Sequence, residues 1–584
     1  MSPYYGANVQ SDGSTVFRLW APTAGPGLRL EISGRAPIDL QPGPDGLVEH
    51  RVPACPPGTR YRYRLADGTE IPDPASRLQD GDVHDCSIVM GQDDYAWQHP
   101  SWQPPPWERT VLYEVHAGLA GGYNGLRERL PELAALGITA IELMPIADFP
   151  GPRNWGYDGV LPYAPDTAYG TPAELKSLID CAHGLGLAVM LDVVYNHFGP
   201  DGNYLPRLAQ PFFREDVATP WGAAIDFRRS EVRRFFEDCA CYWLDEYRFD
   251  GLRLDAVHAI EDEDWLLELP QRLRQRFAPR RIYLVIEDDK NRSRLLRAGF
   301  DAQWNDDGHH VLHHLLTGEK ASYYSDYSDS PARMLSRCLA QGWQYQGQAS
   351  RFRKGERRGE PSGDLPPSSF VWFLQNHDQT GNRAFGERLN QLCDEQALRA
   401  AIALQLLSPG VPMIFMGEEI GSNSPFLYFT SHTDEALADA VRQGRQREFE
   451  ALAAVADLPD PNSPDTYQRS CPWQDNAGGQ AWTDYYQNLL DLRHRCLAPR
   501  LIGARSGPAM VLGPAAVRAQ WRLGDGAGLT VWTNLGSAPC VLPHPLSATP
   551  CQSLRYESVD GGLTHACAGE LPAGSTLCVL EEPQ

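Results

Sequence analysis

The sequence predicts a closed parallel (β/α)8 TIM barrel, flanked by an N-terminal β-sandwich domain and a small C-terminal β domain. Two observations carry this. From Val111 onward, eight short apolar runs occur with amphipathic helical segments in most of the gaps, a pattern that builds parallel sheets. Eight such units close a barrel. Before and after that region the apolar period drops to two, which is the period of half-buried strands.

The elements follow in order. Residues 1–100 read as β: Leu28, Leu30 and Ile32 alternate with polar neighbours, as do Tyr61, Tyr63 and Leu65 with Arg62 and Arg64. Pro22, Gly25-Pro26-Gly27 and Pro56-Pro57-Gly58 supply the turns between strands. SWQPPPWER, with Pro104 to Pro106, reads as a stiff linker. The barrel domain, 108–497, opens with VLYEVH, a helix through LRERLPELAAL, and ITAIELMP. The helical KSLIDCAHGLG then precedes LAVMLDVVYNH. In SEVRRFFEDCACYWLDEY, the residues Val232, Phe235, Phe236, Cys239, Tyr242 and Trp243 form one helical stripe, and DGLRLDAV follows. A helix from about Asp264 to Phe277 leads into IYLVIED, followed by DAQWND, FVWFLQNHD and PMIFMGEE. The charged, Pro/Gly-rich segment 351–367 reads as a solvated excursion. In the C-terminal β domain, 505–584, Leu529, Val531 and Thr533 alternate, and STLCVLEE closes a terminal sheet.

Composition narrows the function. A formal charge of −23 disfavours nucleic acid and anionic membranes as partners and is indifferent to a neutral sugar. The 15 Trp and 24 Tyr offer flat apolar surface for stacking on pyranose rings. MSPYYGANVQSDGST has neither the basic start nor the apolar run of a secretory signal, and no stretch is apolar enough to span a bilayer. The 13 Cys are odd in number and scattered through apolar runs, the usage of reduced thiols in a cytoplasm. Cys239-Ala-Cys241 is not a usual zinc spacing. His309/His313 and His310/His314 have helical i, i+4 spacing, but the chemistry below requires no metal and no cofactor.

That chemistry sits where apolar runs stop. Asp255, Glu287 and Asp378 each end a strand candidate, the position from which barrels project catalytic groups. Glycoside hydrolysis needs a nucleophile and an acid, and the third carboxylate suits a group that grips the distorted sugar. Arg253 lies two residues before Asp255, hence on the same face of the strand, where its guanidinium can hold the carboxylate ionised. A structural buried ion pair is the lesser alternative for that motif. Glu287 follows the apolar Tyr283 to Ile286, and burial there is expected to raise its pKa and keep it protonated as a donor. Asp288 and Asp289 reinforce this by repulsion, or one of them caps a helix. Asp192, Asn196 and His197 leave the third strand. Asn376-His377-Asp378-Gln379 offers contacts to the hydroxyls of the reacting sugar, which strengthen as the ring flattens.

DVVYNH, GLRLDAVH, the Glu287 segment and FLQNHD, in this order, resemble the four short motifs of the α-amylase family of glycoside hydrolases. The resemblance implies Asp255 as nucleophile, Glu287 as proton donor and Asp378 as transition-state stabiliser. It also implies contacts to the reacting sugar from His197, Arg253 and His377, with Tyr157 of WGYDGV stacking on it. Many amylases carry a Lys-His pair three and four residues after the nucleophile; His258 and Ala259 stand there, so the acceptor side differs. A finer resemblance, carried by GPRNWGYDGVLPYAPDTAYGTP, NHFGPDGNYLP, TPWGAAIDF, WNDDGHH, QNHDQTGNR and FMGEE, is to members that act on maltooligosyltrehalose. It implies that substrate, trehalose as product, and a retaining cleavage with the Asp255 and Glu287 carboxyls roughly 5–5.5 Å apart. Asn305, Asp306 and Asp307, with Gln379 and Asn382, are candidates for holding the trehalose hydroxyls. Trp155 is either an aromatic platform by the cleft or a packed loop anchor. A glucan branching or debranching enzyme of the same family is the alternative.

Overall fold

A computed structural model describes residues 4–91, 95–219, 222–450, 457–474, 479–546 and 552–583. Eight parallel strands form a closed barrel: β1 (Leu112–Val115), β2 (Ala140–Leu143), β3 (Ala188–Val193), β4 (Gly251–Leu254), β5 (Tyr283–Ile286), β6 (Ala302–Trp304), β7 (Phe370–Trp372) and β8 (Val411–Phe415), with β8 pairing back onto β1. Every residue of these strands is buried, as expected of a parallel sheet covered on both faces. Leu112, Ala140, Met190, Tyr283, Val285, Trp304, Val371 and Met413 pack together inside. The outer layer includes helices Gly122–Leu136, Pro172–Gly184, Ser230–Glu246, Glu263–Phe277, Asp306–Thr317 and Glu395–Leu407.

Register places the site. Asp192 on β3 pairs with Arg253 on β4, and Arg253 with Val285 on β5. The ladder then runs one residue past the strand ends. Asp255 donates its N–H to the Val193 carbonyl at 3.0 Å, and Glu287 to that of Leu254 at 3.1 Å. Both backbones are therefore fixed at the carboxyl rim.

The N-terminal β region has two layers. Gly6–Val9, Thr15–Trp20 and Leu47–Val52 form one sheet; Ile38–Asp39, Arg29–Ile32, Arg60–Arg64, Glu70–Ile71 and Ser87–Ile88 form the other. Their core, with Phe17, Leu30, Tyr61 and Tyr63, is continuous with the barrel's outer core. Near the C-terminus, strand Ser575–Glu581 lies between Gly528–Asn534 and Gln552–Glu557. STLCVLEE is thus inserted into the sheet rather than placed on its edge.

Two expectations need correction. SWQPPPWER, expected as a stiff linker, is docked onto the barrel: Trp107 is buried, its Nε1 donates to the Ser368 carbonyl at 2.8 Å, and it packs against Tyr283 inside the barrel. An indole that large cannot stay in solvent when a barrel floor is available to cover it. Segment 351–367 is not simply a solvated excursion either. Its Arg358 is 7% exposed and pairs with Asp307 at 2.7 Å. Buried carboxylates need a cation, and this loop supplies it.

Candidate active site

Arg253 organises the site. Its Nη1 donates to Asp255 Oδ1 at 3.0 Å and also to Asp192, while Nη2 donates to Glu287 Oε2. The guanidinium lies 4.0 Å above the Trp304 ring, so one face is covered and the edge is divided among three carboxylates. Asp255 and Glu287, remote in sequence, are thereby held on adjacent nitrogens of one planar cation.

Further contacts fix each carboxyl. Asn196 Nδ2 donates to both the carbonyl and Oδ2 of Asp255, each at 2.8 Å. Glu287 Oε2 accepts the Ala256 N–H at 3.1 Å. Ala256 has φ 40°, a left-handed conformation unusual for alanine, and this bend after Asp255 is what aims the N–H at Glu287.

This geometry reverses the expected direction of the Glu287 shift. Burial raises the Glu287 pKa, but Arg253, His258 and the Ala256 N–H outweigh it, and the group is lowered. Asp255 goes well above the usual carboxylate range through burial, which Arg253 offsets only in part. The two carboxyls flank one guanidinium and are shifted in opposite directions. Glu287 is lowered by Arg253 first, then by His258 and the Ala256 N–H.

The sugar-contact candidates gather on the same rim. Tyr157 donates to Asp192 Oδ2 at 2.6 Å and stacks on His377 with ring centroids 4.9 Å apart. His377 Nδ1 and its backbone N–H both reach Glu114, at 2.6 and 3.1 Å. Burial disfavours the imidazolium, yet Glu114 overrides it and the His377 pKa is raised. His197 is 3.0 Å from the Tyr157 carbonyl, and burial pushes its pKa down to about 4. His258 accepts the Asp289 N–H at 3.4 Å, and burial lowers its pKa against the pull of Glu287. Asp378, half-buried, accepts from Asn382, and burial raises its pKa. Gln379 accepts from Tyr323 at 2.8 Å.

The acceptor candidates divide. Asp306, half-buried, is driven well above its usual range by burial and by Glu287, with Asp378 adding to it, so it lies within electrostatic reach of both. Asn305 and Asp307 do not present themselves there. Asn305 accepts from the Gly308 N–H at 3.1 Å as a helix cap and donates to the Gly342 carbonyl at 2.8 Å. Asp307 accepts from Tyr327, Arg358, Asn291 and the Tyr345 N–H, which uses both of its oxygens. Trp155 is the loop anchor of the two readings. It is 5% exposed, donates to the Leu427 carbonyl at 3.0 Å and stacks on Phe426.

His313 and His314 are engaged by Glu319, through its carboxylate and its carbonyl, both at 2.8 Å. Glu114 and Arg358 escaped the sequence reading. Glu114 sits mid-strand in VLYEVH, where the only available signal is a charge facing a barrel interior.

A model described as the α-amylase catalytic domain matches residues 75–211, and a domain of unknown function, DUF3459, matches 504–575. The malto-oligosyltrehalose trehalohydrolase of Saccharolobus solfataricus is 42% identical, covering 76% of this chain and 80% of that protein. The protein of the same name from Rhizobium sp. is 37% identical, covering 92% and 93%. A crystal structure assigned provisionally to the α-amylases, from Salmonella typhimurium, superposes with TM-score 0.92 at 39% identity over the whole of both chains. A pullulanase from Paenibacillus barengoltzii shares the fold, with TM-score 0.73 at 21% identity. With a barrel, paired carboxylates on its rim and relatives this similar over most of their length, the chain belongs to the malto-oligosyltrehalose trehalohydrolase family of glycoside hydrolases, within the α-amylase group.

Proposed function

We propose that this hydrolase cleaves the α-1,4-glucosidic bond next to the trehalose end of maltooligosyltrehalose and releases trehalose by double displacement. The observation that carries the chemistry is the Arg253 guanidinium shared by Asp255 and Glu287. The reaction starts with Glu287 protonated and Asp255 ionised beside Arg253. Asp255 then attacks the anomeric carbon, the bond to the 4-oxygen of trehalose breaks, and Glu287 gives that oxygen its proton. Water adds to the glycosyl ester, Glu287 takes the water's proton, and the malto chain leaves with its α configuration retained.

Asp378 and His377 bind hydroxyls of the flattening ring, Tyr157 stacks on it, and His197 orients the Asn196 side chain that holds Asp255. Asp306, Gln379 and Asn382 grip the departing trehalose. The reading for trehalose rests on the relatives named above, with Asp306 within electrostatic reach of Glu287 and Asp378. We place the enzyme in the cytoplasm, consistent with described cysteines that are all free and with no described helix long and apolar enough to cross a membrane.

Chromatography of products from purified maltooligosyltrehalose tests the reading. Free trehalose with a malto chain shortened accordingly is expected. No trehalose, together with cutting or building of a branched glucan, would overturn it in favour of a branching or debranching activity.

A further inference from the structure

Beneath the catalytic rim, the barrel interior holds a second set of charged groups. Glu142 on β2 lies in register with Glu114 on β1 and with Met190 on β3, two residues before Asp192. It is 0% exposed, and neither of its carboxyl oxygens has a hydrogen-bond partner. Asp192 Oδ1 and Arg253 Nε are buried and unpartnered as well. Glu114 differs, because both its oxygens accept from His377.

The orphaned atoms are complementary. Asp192 Oδ1 is an acceptor, Arg253 Nε a donor, and a carboxylic acid offers one of each. An ionised Glu142 would be a buried charge without a hydrogen-bond partner, near the carboxylates of Asp192 and Glu114, an arrangement that burial strongly disfavours. We propose that Glu142 is a neutral carboxylic acid and a positioning residue. Its O–H serves Asp192 Oδ1 and its carbonyl oxygen serves Arg253 Nε, through enclosed water, which fixes the plane of the guanidinium that Asp255 and Glu287 share. Burial, reinforced by Asp192, also drives the Glu142 pKa well above the carboxylate range. Arg253 is then set on three sides: by Asp192 at its tip, Trp304 on its face and Glu142 at its stem.

The inference rests on the assignment of Asp255 and Glu287 made above, and two variants test it. E142L removes both hydrogen-bonding functions; kcat is expected to fall about 10- to 100-fold with KM little changed, the scale of a small misplacement in an active site. Its pH–rate profile is expected to shift, because a loosened Arg253 shifts the two carboxyls differently. E142Q, neutral and of the same shape, is expected to restore most of that loss. Infrared difference spectra of wild type minus E142Q at neutral pH are expected to show a protonated-carboxyl band; a carboxylate band instead would overturn the proposal, whether or not E142L folds. A folded E142L with wild-type kcat and pH profile would also overturn it. If D255N and E287Q remain active, the underlying assignment fails; if they are inactive while E142L behaves as wild type, only the role of Glu142 fails.

Discussion

Replacing Arg253 by Lys is the sharpest single-residue change in the site. A lysine ammonium is a point charge and cannot present two nitrogens, side by side, to Asp255 and Glu287. R253K is expected to lower kcat/KM by roughly 10²–10³-fold, the scale of removing one preorganised donor, with the fold intact by circular dichroism. Double displacement needs Asp255 ionised and Glu287 protonated, so the rate requires one proton on the pair. The profile of kcat/KM is therefore expected to be a bell: activity falls on the acid side as the second carboxyl protonates, and on the alkaline side as that proton leaves. Asp255 and Glu287, the proposed catalytic pair, were legible because each directly follows a strand; Asp378, expected at a strand end, lies instead in the short helix His377–Gly381. The direction of the Glu287 shift was not, because Arg253, His258 and the Ala256 N–H reach Glu287 only in three dimensions. Glu114 was hidden for a similar reason: its partner His377 is 263 positions away.

Elements rather than single side chains decide how firmly the rim is built. The loop after β2 carries Tyr157 behind Gly156, which has φ 102° and no room for a side chain: a Cβ there would lie 2.1 Å from the Pro145 carbonyl oxygen. Gly156→Ala is expected to cost about 2–4 kcal/mol, read as a lower denaturant midpoint, and to weaken substrate binding as Tyr157 shifts. Helix Asp306–Thr317, which begins with Asp306, is fastened beyond its far end by Glu319, which meets His313 and Arg383, each at 2.8 Å. His313 leads in lowering the Glu319 pKa, from its ordinary 4.5 to about 2. A depressed acid stabilises the fold above its unfolded pKa and loses that contribution as pH falls through its folded one. Glu319→Gln is thus expected to melt earlier than wild type at neutral pH, with the difference shrinking between about 4.5 and about 2 in thermal melts. The helix itself was readable from its spacing. Its clamp was not, because a glutamate just past a helix end signals nothing about an arginine 64 residues on.

At the scale of the whole molecule, the N-terminal sheets are part of the barrel's cover. Trp20 meets Phe212 with ring centroids 6.4 Å apart, Tyr5 meets Phe235 at 5.9 Å, and Arg77 lies 5.7 Å above Tyr242. A chain lacking residues 1–91 is expected to expose these rings and aggregate or bind hydrophobic dyes; a soluble, fully active truncation would show that the cover is dispensable. The layered architecture was legible from the change of apolar period along the chain. The docking was not, since alternation shows that a strand has a buried face but not what lies against it. The same holds for Arg358, whose loop reads as solvated until Asp307 is placed beside it. The most direct test of the proposed chemistry uses a fluorinated glucosyl fluoride, which forms the glycosyl ester quickly and releases it slowly, followed by peptide mass spectrometry. The label is expected on Asp255, with E287Q slowing its release; a label on another residue, or turnover that inverts the anomeric configuration and leaves no ester, would contradict the proposed roles of the pair.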